Sequence, residues 1–168
     1  IYMGDWSSDV CSSDLSCRFV AKQELERTPL VRLFLHRLNA EFVERFDARA
    51  GAEDAQHLAS IARRGHSLII FPEGTFTRAP GLMRFHLGAF STAVHSGLPV
   101  LPIAIRGTRS LLRDQQWLPH RVAIVVSVGS PIDPPRLSDA FAASVQMRDA
   151  ARRAIREDCG EPELLDVG

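Results

Sequence analysis

Cysteine is scarce in this 168-residue chain: only Cys11, Cys17 and Cys159 are present. Their spacing suits neither a metal site nor a disulfide framework, so a reducing compartment is the simpler expectation. Lysine is nearly absent, Lys22 being the only one among 20 basic residues, and the rest are arginine. There is no excess of charge of either sign, because 20 acidic residues balance the 20 basic ones. That balance argues against a nucleic-acid binder dominated by phosphate neutralisation. Long apolar runs are missing too. Leu98 to Ile105 and Val122 to Val128 fall far short of the roughly 20 residues of a membrane-spanning helix. No glycine-rich phosphate loop follows a strand, which argues against a nucleotide-binding domain. What remains is 45% hydrophobic and 24% charged, the balance of a folded globular chain of one domain.

The first fifteen residues stand apart. Asp5 to Leu15 reads Asp-Trp-Ser-Ser-Asp-Val-Cys-Ser-Ser-Asp-Leu and resembles one reading frame of a common sequencing adapter. A polar tail rich in serine and aspartate accounts for the same string, and a signal peptide does not, since a basic start and an apolar centre are lacking. Residues 1–15 are therefore expected to be a non-native tail, and 16–168 a partial domain that ends in a helix. Without Asp5, Asp9 and Asp14 the charge becomes slightly basic. Arginine suits phosphate recognition through its two-pronged donor geometry, although GC-rich codon usage explains most of the nineteen.

Lys22 to Leu38 has helical spacing interrupted at Pro29, predicting one helix or two short ones. Glu41 to Phe46 reads as a short strand, and Ala52 to Arg64 as a helix closed by Gly65. Ser67 to Phe71 is a continuous apolar run, the pattern of a buried strand. A loop from Pro72 to about Phe85 follows, then a helix from Leu87 to Ser96 closed by Gly97. Val100 to Ile105 and Arg121 to Val128 are two more expected buried strands. Ser138 is the expected N-cap of a last amphipathic helix reaching Cys159. Alternating strands and helices predict an α/β architecture with a largely parallel, mixed central sheet flanked by helices.

The chemistry concentrates in Phe71-Pro72-Glu73-Gly74-Thr75-Phe76-Thr77-Arg78. It leaves the carboxyl end of a predicted strand, where α/β folds place their ligands. Pro72 ends the ladder and Gly74 opens backbone conformations closed to other residues. One loop thus carries a carboxylate, a guanidinium and two hydroxyls, groups suited to phosphate or glycerol oxygens. A surface ion pair between Glu73 and Arg78 accounts for these residues equally well on composition alone.

Four blocks in order resemble the glycerolipid acyltransferases typified by bacterial lysophosphatidic acid acyltransferase. They are Phe71-Pro72-Glu73-Gly74-Thr75; Phe85-His86-Leu87-Gly88, where the family usually has Phe-Lys-x-Gly; Gly97 to Ile103; and Asn39 to Arg45. The likeness covers roughly residues 18 to 134. It implies a glycerolphosphate acyltransferase-like fold, incomplete at the N-terminus. It also implies transfer of a fatty acyl group from acyl-CoA or acyl-carrier protein to the free hydroxyl of 1-acylglycerol-3-phosphate in phospholipid synthesis. No cofactor beyond the acyl donor is implied. The partners implied are a lysophospholipid acceptor, the thioester donor and a membrane surface, with no nucleic acid. The resemblance assigns substrate binding to Arg45, Glu73, Gly74, Thr75, Arg78 and His86, with Arg45 and Arg78 on the phosphate. Asn39 stands where the family has glycine. His86 stands where it has lysine, replacing a permanent charge by one that histidines gain only near neutrality and below.

The family's general base is a histidine with an aspartate five positions later. None of His36, His57, His66, His86, His95 and His120 has that partner. The missing pair is expected upstream of Arg18, so the printed chain is expected to be a truncated and inactive piece of an O-acyltransferase. Two alternatives stay open: an acyltransferase for another lysophospholipid, and a non-catalytic lipid-binding module. The expected location is cytoplasmic or peripheral to the inner membrane. Arg148, Arg152, Arg153 and Arg156 on the last helix suit an anionic lipid surface, but a solvated helix face explains them more simply.

Overall fold

The computed structural model describes residues 2–3, 17–22, 29–37, 40–43, 50–74, 81–111 and 120–162. A five-stranded sheet has the order β3-β2-β4-β1-β5, where β1 is Tyr2–Met3, β2 Cys17–Lys22, β3 Glu41–Val43, β4 Ser67–Ile69 and β5 Val100–Leu101. β2 runs parallel to both β3 and β4, and β1 is antiparallel to β4 and β5. β4 and β5 therefore share a direction, and the sheet is parallel except for the two-residue β1. A second sheet pairs β6 (Ile103–Arg106) antiparallel with β7 (Val125–Val128). The mixed, largely parallel α/β expectation agrees with this architecture.

Of the expected helical stretch from Lys22, residues 23–28 lie outside the described residues. Lys22 closes β2, and α1 runs over Pro29–Arg37. Pro29 is the first residue of α1, where its missing N–H has no intrahelical partner to lose. Setting residues 1–15 aside also misses a pairing: Tyr2 lies opposite Ile69 and Leu101, and Met3 opposite Leu68 and Val100. Asp5 to Leu15 lies outside the described residues.

α2 (Ala50–Arg63) buries Ala55, Leu58, Ala59 and Ala62 at helical spacing and stops at Gly65, whose φ of +88° suits glycine. α3 (Gly88–Ser96) buries Ala89, Phe90, Thr92 and Ala93, and Gly97 caps it in the left-handed region. A short α4 follows at Thr108–Leu111. α5 (Ala140–Cys159) buries Ala143, Met147, Ala151 and Ile155, an unbroken four-residue period. Its N-cap is Asp139, not the expected Ser138: the Asp139 carboxylate accepts the Phe141 N–H at 2.9 Å. The two residues are adjacent cap formers, and only the backbone turn chooses between them.

Leu58, Leu68, Ile70, Phe90, Val100 and Met147 form the centre of the core, joining α2, α3 and α5 to β4 and β5. Around β2, Arg18 bonds the Glu41 carboxylate of β3 and lies 3.5 Å from Nε2 of His66, the residue just before β4. Burial raises the pKa of the Cys17 thiol above its ordinary value.

Two strand expectations need correction. Val100 to Ile105 is not one strand, because Pro102 lacks an N–H for the ladder and separates β5 from β6. Arg121 to Val128 is not buried: only Val125–Val128 is strand, and Val125, Val126 and Val128 are all exposed.

Candidate active-site loop

β4 ends at Ile69, and the next residue, Ile70, is the last buried one. Phe71, expected inside, is 60% exposed, because it lies past the end of the ladder and begins a turn. The Gly74 N–H donates to the Phe71 carbonyl at 3.1 Å, closing Phe71-Pro72-Glu73-Gly74. Proline second and glycine fourth are favoured places in such a turn. Gly74 also has a φ of +64°.

A second chain segment is laid over this turn. The His86 N–H donates to the Pro72 carbonyl at 2.8 Å. The imidazole of His86 lies against Gly74 so closely that a Cβ there would come within 2.9 Å of its Cδ2. The backbone angle favours glycine there, and any larger side chain would also have to displace the His86 ring. Phe85 anchors the segment: it is buried and stacks on Phe90 of α3 with ring centroids 6.4 Å apart. The side chain after it, His86, is left exposed at the rim.

The half-buried Glu73 carboxylate accepts the Met83 N–H through Oε2 at 3.0 Å. Beside it, the Leu82 N–H donates to the Pro162 carbonyl at 2.8 Å. Neither partner was legible in the sequence, since both bonds use backbone groups that any residue carries.

Of the six residues singled out in sequence, Glu73, Gly74 and His86 are brought together here. Arg45, Thr75 and Arg78 lie outside the described residues. β3 ends at Val43, two positions before Arg45 in sequence, and runs in the same direction as β4. The site combines the half-buried Glu73 carboxylate with the exposed His86 imidazole, and Phe85 next to His86 is buried and stacked on Phe90. Among the described residues, no group of three or more His, Cys, Asp or Glu side chains is placed to hold a metal ion.

This chain is similar to several known proteins. It is 30% identical over 151 residues to a 1-acyl-sn-glycerol-3-phosphate acyltransferase of Chlamydomonas reinhardtii, covering 88% of this chain and 43% of that protein. A 1-acyl-sn-glycerol-3-phosphate acyltransferase of Borreliella burgdorferi is 29% identical, over 74% of this chain and 50% of its own length. The lyso-ornithine lipid O-acyltransferase of Pseudomonas aeruginosa is 33% identical over 58% of this chain and 38% of its own. In structure, the chain matches the 1-acyl-sn-glycerophosphate acyltransferase PlsC of Thermotoga maritima with a TM-score of 0.60 at 28% identity, covering 84% of this chain and 56% of that one. The chain spans about half the length of the first two relatives. The Acyltransferase family model matches residues 6–106, which takes in β2 to β5 and the turn that carries Glu73. A match over that length, with the fold of a solved acyltransferase, leads to one conclusion: the chain belongs to the Acyltransferase family.

Proposed function

We propose that this chain is the acceptor-binding part of an O-acyltransferase that esterifies 1-acylglycerol-3-phosphate. The observation that supports it best is the closed Phe71–Gly74 turn, with Glu73 and His86 held on it at the carboxyl end of a parallel strand. In this reading Arg45 and Arg78 clamp the phosphate through paired charge-assisted hydrogen bonds, and His86 adds a third, weaker contact. Gly74 and Thr75 shape the loop around the glycerol, and Glu73 keeps it in place.

In the whole enzyme, a base takes the proton of the acceptor hydroxyl. The oxygen then attacks the acyl thioester carbonyl, the ester bond forms, and the thiol of coenzyme A or acyl-carrier protein leaves and regains a proton. An aspartate orients the base and stabilises its protonated form. No histidine in this chain has an aspartate five positions on, so positioning is retained and proton removal is not. The chain therefore binds acceptor without transferring acyl groups. It meets the lysolipid at a membrane surface; among the described residues, no helix is long and apolar enough to cross one.

Titration calorimetry of the 168-residue chain with 1-acylglycerol-3-phosphate tests this. Loss of a charge-assisted bond costs about 1.5–3 kcal/mol, so Arg45→Ala should weaken acceptor binding by roughly ten- to a hundredfold. Unchanged affinity removes Arg45 from the site. A second reading changes only the acceptor, and the Pseudomonas aeruginosa relative together with histidine in place of lysine at position 86 favours it. Tighter binding of lyso-ornithine lipid than of 1-acylglycerol-3-phosphate would select that reading.

A further inference from the structure

We propose that the aliphatic face of the β6–β7 ribbon is the surface by which this chain lies on an anionic bilayer. This rests on the acceptor-binding reading above and names the face that meets the membrane there. Along the ribbon, Ile103 is opposite Val128 and Ile105 opposite Val126, while Ala104 is opposite Ser127 and Arg106 opposite Val125. Side chains alternate between faces, so Ile103, Ile105, Val126 and Val128 share one face, and Ile124 is next on it. α5 packs on β6 from the other face, where Ala104 is buried and the Arg106 guanidinium lies beside Gly160 at the end of the helix. Ile105, Ile124, Val126 and Val128 remain exposed. Exposed apolar residues scattered singly need no explanation, but a run of them on one face marks an interaction surface.

Register places this face at the acceptor end of the sheet. Leu101 lies level with Ile69 across Tyr2, and β4 and β5 share a direction. The strand that pairs with β6 also runs beside β5: Gly129 gives its N–H to the Pro102 carbonyl at 2.9 Å, and Ile132 bridges Val100. β6 therefore continues the line of β5 past the end of β4, toward the end at which the Phe71–Gly74 turn leaves. Phe71, itself exposed, stands at that end too.

Charge selects the partner. Neither 98–111 nor 120–132 contains an aspartate or glutamate, and their basic residues are Arg106, Arg109, His120 and Arg121. His120 and Arg121 are exposed, just before the aliphatic run of β7. An aliphatic face beside cations and without carboxylates fits the boundary between headgroups and acyl chains of an anionic bilayer. A second copy would set the same cations against each other. Among the described residues β7 is an open edge. Its free backbone groups need water, so the ribbon lies in the headgroup region and does not enter the hydrocarbon.

The test is co-sedimentation of the 168-residue chain with vesicles of phosphatidylcholine, alone or mixed with phosphatidylglycerol. The mixed vesicles should bind it more tightly. Ile105→Thr, Val126→Thr and Val128→Thr, made together, keep strand-forming residues at these positions and should weaken that binding by roughly tenfold or more, with a near-parent urea midpoint. Val125→Thr is the control: Val125 is 50% exposed but on the face of α5, and binding should not change. Arg121→Gln should lower binding to the mixed vesicles by about fivefold and leave phosphatidylcholine binding as it was. Parent-like binding by the triple variant, or an equal loss in Val125→Thr, overturns the proposal. So does a dimer, seen without vesicles, that the triple variant abolishes while vesicle binding persists, since the face is then an interface between copies. Affinity for glycerol 3-phosphate is read separately, without vesicles. Failure to bind either vesicle with that affinity intact overturns the ribbon and leaves the acceptor reading. Vesicle binding that responds as expected, without glycerol 3-phosphate binding, leaves the ribbon and overturns the acceptor reading.

Discussion

Val100 in β5 and Val126 in β7 are the same residue in the same kind of element, yet Val100 is fully buried and Val126 is 57% exposed. β5 has β1 on one edge and Ile132 on the other, where Val100 exchanges two hydrogen bonds with Ile132 at 2.8 and 2.9 Å. Among the described residues β7 has one partner strand, β6, and α5 packs on β6. Opposite Val126 and Val128 stand Ile105 and Ile103, so one face of this ribbon is aliphatic, and Ile105, Val126 and Val128 are left exposed on it. β-branched residues specify extended backbone, but burial depends on which element arrives to cover them. The turn that carries Glu73 belongs to the covered part of the molecule, since His86 bonds its Pro72 and the neighbouring Phe85 stacks on Phe90 in the core.

That contrast can be broken at its strongest point. Phe90 is fully buried and touches both the core and the site through Phe85, so Phe90→Ala should cost about 3–5 kcal/mol. Urea unfolding should show a lower midpoint with an unchanged slope. A loss below 1 kcal/mol, estimated on the same scale, would mean that this half is no better packed than the ribbon.

One substitution made on both strands sharpens the comparison. Val100→Thr places a hydroxyl where Val100 has no access to water and should cost about 1–3 kcal/mol. Val126→Thr, the smallest effect expected, should stay within about 0.5 kcal/mol because the hydroxyl remains hydrated. Equal costs at the two positions, read from the same urea transitions, would show that β7 is covered in solution.

Much of the candidate loop was legible. Pro72 and Gly74 flank Glu73 in an order that few backbone conformations accept, and the turn found there is the one that those residues favour. Helix ends at Gly65 and Gly97 were readable for the same reason, since glycine marks a left-handed cap. The strand Cys17–Lys22 was not legible, because its alternation is short and includes Arg18, a charge whose partner Glu41 is brought close only by the sheet. Phe71 misled because an apolar run shows that a strand is present but not where its ladder stops. The same limit applies to Val122 to Val128, read as buried from its side chains alone.

The sequence by itself determined the local rules: where the backbone must turn, which helix faces are apolar, and which block carries the carboxylate and the guanidinium. Those follow from steric and periodic constraints that act within a few residues. Tertiary structure alone decided that His86 closes over Gly74, that Glu73 spends its carboxylate on Met83, and that Pro162 returns to hold Leu82. Each of these contacts joins segments separated in the chain, and two of the partners are backbone groups common to all residues. Only the packing of α3 and α5 against the sheet brings them within hydrogen-bonding distance, and no pattern of side chains announces that in advance.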